Sequence, residues 1–163
     1  MAKLSHLDEK GEARMVDVSE KGVSHRTAVA EGFVAMRPET LALLESGEAK
    51  KGDVLAAARI AGIMAAKKTS ELIPLCHPVG VANATIGFEP ARDPAGIRIR
   101  ATVKVAGQSG VEMEALTAVA VAALTIYDML KSVDQAMRLE GIHLLEKSGG
   151  RSGPYKAAPK SRS

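Results

Sequence analysis

The chain has 163 residues, enough for one domain, and its 46% hydrophobic content supplies ample material for a core. A formal charge of +3 favours an anionic partner, while four aromatic residues, Phe33, Phe88, Tyr127 and Tyr155, are too few for the base-stacking platforms of a nucleic-acid binder. Cys76 is the single cysteine, which excludes an intramolecular disulfide and fits a reducing, cytoplasmic setting. The N-terminal stretch MAKLSHLDEKGEARM lacks the apolar segment of a secretory signal.

Residues 1–24 are polar and read as a loosely ordered arm, 25–150 as the folded domain, and 151–163 as a basic, flexible Gly/Ser/Pro-rich tail. Arg26 to Met36 is rich in small and β-branched residues and predicts a strand. Pro38 then opens a short helix that stops at Gly47. Asp53 is an N-cap for a helix from Val54 to Lys68, with Leu55, Ile60, Ile63 and Met64 on its apolar side. TSELIPLCHPVG carries Pro74 and Pro78 around Cys76 and His77 and predicts a stiff loop. GVANATIGFEP and GIRIRATVKVA form a hairpin about Asp93-Pro94, and in the second strand Ile97, Ile99, Ala101, Val103 and Val105 alternate with polar residues. A long helix follows, and RLEGIHLLEK gives the last strand. The order is that of an α+β, ferredoxin-like split βαβ fold, an antiparallel sheet with helices packed on one face.

The long helix organises the rest. From Ala115 to Ile126 only Thr117 and Thr125 are polar, so the helix is apolar nearly all round and belongs in the core or at a subunit interface. The run is about half of what a bilayer span needs, with acidic residues at both ends, so no membrane crossing is expected. Beside such a segment Glu112, Glu114, Asp128 and Lys131 must be paired or kept for chemistry. Asp128 and Lys131 share a helix face at spacing i, i+3, either as a surface ion pair or as an acid/base couple. No phosphate-binding P-loop or dinucleotide fingerprint is present. The scattered histidines, His6, His25, His77 and His143, have no zinc spacing with Cys76, so no protein-built metal site is expected. Cys76 and His77, adjacent on an extended loop, point apart and make a poor nucleophile and base. Lys51, Lys67 and Lys68 read most simply as helix-end charges, and KSGGRSG at 147–153 as a flexible tail or a basic nest for phosphate.

MVDVSEK, HRTAVAEG, AAARIAGIMAAKKTSELIPLCHP, GVEMEALTAVAVAALTIYDMLK and LLEKSGGRSG together span Met15 to Gly153. In these strings the chain closely resembles the cyclic pyranopterin monophosphate synthase family, the MoaC proteins of molybdenum cofactor biosynthesis. The resemblance implies conversion of 3′,8-cyclo-7,8-dihydroguanosine 5′-triphosphate, made by a radical GTP cyclase, to cyclic pyranopterin monophosphate with release of diphosphate. It brings no cofactor, and it implies a hexamer of paired subunits, a trimer of dimers. Carried over, the acid/base pair falls on Asp128 and Lys131, and the substrate-binding segments fall on Leu75, Cys76 and His77 and on Glu112, Met113 and Glu114. Lys51, Lys67, Arg26 and Lys147 match basic positions and are candidates for the triphosphate. Arg151 stands where many members have lysine, and a guanidinium cannot give up its proton at neutral pH.

Rearranging the heterocycle moves several protons, which calls for a group poised near neutrality. Desolvation at the helix end is expected to lower Lys131 while Asp128 pulls it back up and orients it. Glu112 and Glu114 are suited to accept hydrogen bonds from a guanine-type edge. The competing reading is a non-catalytic ferredoxin-like module that binds a nucleotide or RNA, but GIRIRATVKV offers no aromatic for stacking. Glu114 and Asp128 are fourteen residues apart, about 21 Å along a helix, so one small substrate reaches both only if two such helices pack antiparallel across a two-fold axis.

Overall fold

Alternation of apolar and polar residues builds the middle of the sheet. In the computed structural model, which describes residues 6–16, 23–150 and 153–159, β1 (Ser24–Ala35) and β3 (Ala95–Gly107) pair antiparallel with Ala30 opposite Ala101. Ile97, Ile99, Ala101 and Val103 are wholly buried while Arg98, Arg100 and Lys104 face outward. On the outer face Glu31 pairs with Arg100 at 3.0 Å and Arg98 at 3.6 Å, across the β1–β3 ladder. β2 (Asn83–Arg92) and β4 (Arg138–Ser148) flank this pair, and β5 (Tyr155–Lys156) adds to the β4 edge, giving the order β2-β3-β1-β4-β5. β1 and β3 are central and each is followed by a helical crossover to a flanking strand, the split βαβ arrangement expected from the element order.

Helix boundaries follow local chemistry. Helix α1 (Pro38–Ser46) starts on its proline and ends where Gly47 takes the left-handed conformation, φ 75°. Arg37 offers α1 no capping side chain. Asp134, far along the chain, does so instead: its Oδ2 accepts from the Arg37 amide at 3.1 Å and the Thr40 hydroxyl at 2.9 Å. Helix α2 (Val54–Lys67) is capped by Asp53, whose side chain accepts from the Ala56 amide at 3.0 Å. The loop that follows is less irregular than expected, because α3 (Thr69–Leu72) adds a helical turn before Pro74. Thr69, buried, donates back to Ala65 and Ala66 and holds α3 against the end of α2.

Helix α4 (Glu112–Leu130) lies across the sheet with Ala115, Ala118, Val119, Ala122 and Ile126 fully buried. It is long and apolar enough to span a bilayer, yet half of that window is buried inside the protein, as in a core helix. α2 packs antiparallel to it, and Gly62 marks the crossing: a Cβ there would stand 3.0 Å from the Ala118 carbonyl and 2.2 Å from Ile86. Small residues permit that approach, and so Ala58, Gly62, Ala65 and Ala66 are the buried side of α2. This corrects the expectation for its large apolar residues: Ile60 is 60% and Met64 52% exposed, on the same helical layer as Leu124 at 55%. Part of the N-terminal arm, Arg151, Ser152 and residues 160–163 lie outside the described residues.

Candidate active site

Antiparallel packing of α2 on α4 sorts the candidate residues into two groups, one at each end of α4. At the C-terminal end Asp128 is clasped by two lysines. Lys131 Nζ lies 2.9 Å from its Oδ1, and Lys51 Nζ donates to Oδ2 at 3.3 Å and to the Asp128 carbonyl at 3.2 Å. All three side chains are about half exposed. Hydrogen bonds from Lys131 and then Lys51 hold the Asp128 carboxyl below the usual carboxylate range. The Asp128 hydrogen bond in turn holds the Lys131 ammonium above the ordinary lysine value. The expected desolvation of Lys131 is thus outweighed in the single chain, where the ammonium stands in solvent beside its counter-ion.

The N-terminal end gathers Glu112, Met113 and Glu114 from α4, the Leu75–His77 loop, and Arg26 and Lys147 from the sheet. Glu112 pairs with Lys147 at 3.1 Å. Glu114 is 1% exposed; its Oε2 accepts from the Cys76 thiol at 3.7 Å, and its Oε1 is buried with no hydrogen-bond partner among the described residues. Burial pushes the Glu114 carboxyl up to about 7, with a smaller rise from the charge of Glu112. Burial also pushes the Cys76 thiol up, and with the neighbouring Glu114 it reaches about 11, which speaks against a thiolate nucleophile. Arg26 donates from Nε to the Gly107 carbonyl at 3.1 Å and from Nη2 to Gln108 at 3.3 Å, tying down the loop that leads into α4. Gly149 and Gly150 both adopt positive φ, 89° and 79°, and lie so close to His25 and Arg26 that a Cβ at either position would clash. Lys67, exposed at the end of α2, belongs to this group by the direction of its helix.

One chain therefore does not bring all the candidates together. Lys51, Asp128 and Lys131 meet at one end, and Leu75 to His77, Glu112 to Glu114, Arg26, Lys67 and Lys147 collect at the other, about 21 Å away along α4. A groove along β4 and β5 is lined by Thr27, Lys147, Tyr155 and Lys156, and a smaller hollow beside Met129 and Leu130 is lined by Leu43 and Lys50; neither contains Asp128. Asp134, to which sequence reasoning gave no role, is 3% exposed and links the turn after Lys131 to α1. Burial would raise its carboxyl, but hydrogen bonds from the Arg37 amide, Thr40 and the Ala136 amide hold it below the usual range.

The sequence pattern of the MoaC family matches residues 15–150. A cyclic pyranopterin monophosphate synthase of Methylobacterium sp. (strain 4-46) is 62% identical over 159 residues, 98% of this chain and 99% of the relative. Enzymes of the same name from Methylobacterium nodulans and Thermomicrobium roseum are 63% and 58% identical over 98% and 96% of this chain. The matched region contains both residue groups and the helix that separates them, and on that evidence the chain belongs to the MoaC family.

Proposed function

We propose that this protein is a cyclic pyranopterin monophosphate synthase, converting 3′,8-cyclo-7,8-dihydroguanosine 5′-triphosphate to cyclic pyranopterin monophosphate and diphosphate in the cytoplasm. The reading is carried by Asp128 held between Lys51 and Lys131 in a chain that is similar over nearly its full length to synthases of that name. With Lys131 held protonated and Asp128 ionised, the resting pair has a proton donor and an acceptor 2.9 Å apart. Lys131 serves as general acid first, and as base once substrate has taken its proton. Lys51 adds a second ammonium, so the trio carries net positive charge where phosphate oxygens develop charge as diphosphate leaves. Glu112, positioned by its ion pair with Lys147, accepts from the donor edge of the heterocycle.

A complete site in this reading needs two chains. The exposed Ile60, Met64, Leu124 and Met113 form the apolar surface that a second copy covers, and antiparallel packing places one copy's Glu112 end beside the other's Asp128 end. The hexamer, a trimer of such dimers, follows from family resemblance. An RNA-binding module is disfavoured by the named relatives and by the outer sheet face, where the arginines of β3 are engaged by Glu31. The test is turnover: purified protein given the cyclised triphosphate should release diphosphate and a cyclic phosphate product in equal amounts. Binding without turnover in the intact oligomer would overturn the reading.

A further inference from the structure

Glu114 stands apart from the other carboxylates. It lies in the first turn of α4 and is almost wholly buried, and among the described residues no lysine, arginine or histidine forms an ion pair with it. The titratable groups around it are Cys76 from the loop and Glu112 from its own helix, and Glu112 is already paired with Lys147 from β4. A carboxylate in that place would be a buried charge with one oxygen unpartnered, far costlier than a neutral carboxyl.

The loop above it has little else to hold it. Pro74 and Pro78 stiffen the Leu75–His77 segment, and the Cys76 amide bonds locally to Ile73. Among the described residues, the one side-chain hydrogen bond between this segment and α4 is that of the Cys76 thiol to Glu114. The same sulfur lies 3.6 Å from the His77 carbonyl, the alternative acceptor for its single proton. Glu114 thus sits behind the loop rather than on its surface.

We propose that Cys76 and Glu114 form a buried positioning pair, in which the carboxyl works as a neutral acid that anchors the Leu75–His77 loop to the start of α4. Glu114 acts through Cys76 and touches no reacting atom. The pair fastens one candidate binding segment to the other, so the loop and the α4 N-terminus present a single surface to the heterocycle. This rests on the synthase reading for its kinetic consequence, but not for its protonation state.

Two measurements on the intact oligomer test it. The first is carbon-13 NMR of protein labelled at the glutamate carboxyl carbon, with the Glu114 signal assigned by its loss in Glu114→Gln. That carbon should titrate near 7; a Glu114 carboxyl already ionised at pH 6 overturns the neutral acid. The second is a double-mutant cycle in KM. Cys76→Ala and Glu114→Ala should each raise KM by roughly five- to tenfold, with the double variant no worse than the poorer single one, because both break one link, whereas Glu114→Gln, whose amide carbonyl still accepts from the thiol, should leave KM near wild type. Multiplying effects, or losses in kcat at unchanged KM, overturn the pair as a positioning device. If wild-type protein fails to turn over the cyclised triphosphate, the function reading fails while the NMR titration still decides the protonation state.

Discussion

The two ends of α4 solve opposite electrostatic problems. At the C-terminal end three charges stand in solvent and stabilise one another, each lysine raising the acidity of Asp128 and Asp128 keeping Lys131 protonated. At the N-terminal end burial dominates, and desolvation pushes the Glu114 carboxyl up to about 7, with a thiol for a neighbour. Exposure gives groups that exchange protons and meet phosphates readily; burial gives a group that holds shape. In the function proposed above, chemistry and recognition are separated within one chain and reunited by a neighbouring copy.

The sharpest way to break this contrast is to remove the proton donor. Lys131→Ala should lower kcat by at least about a hundredfold, the usual scale of a general acid/base, while the thermal melt stays close to wild type because the side chain is half exposed. Near wild-type turnover would reassign the pair to the surface. Subunit mixing tests the reunion. Lys131→Ala and Glu112→Ala proteins, each inactive alone, should recover about a quarter of wild-type activity after random exchange, since half the dimers are mixed and each of those holds one intact site. No recovery after verified exchange would place the whole site in one chain.

Lys51 and Lys67 lie at opposite ends of the helix pair, so their phosphate roles are separable. Either alanine variant should weaken binding of the triphosphate by about tenfold and that of an unphosphorylated analogue much less, with the loss shrinking as salt is added. Equal losses for both ligands would reduce them to helix-end charges. The smallest effect concerns stability. The Glu114 carboxyl is raised from 4.5 to about 7 in the folded protein. Below 4.5 it is neutral whether the chain is folded or not. Between 4.5 and 7 the unfolded chain ionises first, so wild type loses stability as pH rises, and above 7 the full loss is present. Glu114→Gln should therefore gain on wild type across that window, by roughly 2 kcal/mol after allowance for screening, in denaturant melts at several pH values.

Much of the fold was legible where the determinants are local. The period-two pattern of β3, Asp53 before α2, and Pro38 with Gly47 around α1 each act within a few residues, and those elements appear where these signals put them. The features missed depend on distant partners. Ile60 and Met64 face outward because Gly62 lets α2 approach α4 on its small side, a choice set by Ala118 and Ile86. β5 exists because Glu146 and Lys147 on β4 offer an edge to Tyr155 and Lys156, within a stretch whose composition reads as tail. Asp134 caps a helix that begins almost a hundred residues earlier. The pairing of Asp128 with Lys131 was visible as a spacing, whereas Lys51 joining them and the thiol beside Glu114 required the fold.

The fourteen-residue span between Glu114 and Asp128 also limits how this protein can change over time. Most of the residues between are small or aliphatic, and exchanging one for another of similar volume is absorbed by repacking. An inserted or deleted residue is a different event. Each residue turns an α-helix by about 100° and advances it by about 1.5 Å, so one extra residue swings Asp128 a quarter-turn away from Lys51 and carries α4 out of register with Gly62. In an assembly with the paired copies proposed above the fault is duplicated, since both copies carry it. Lineages can rewrite the letters of this helix but not its count.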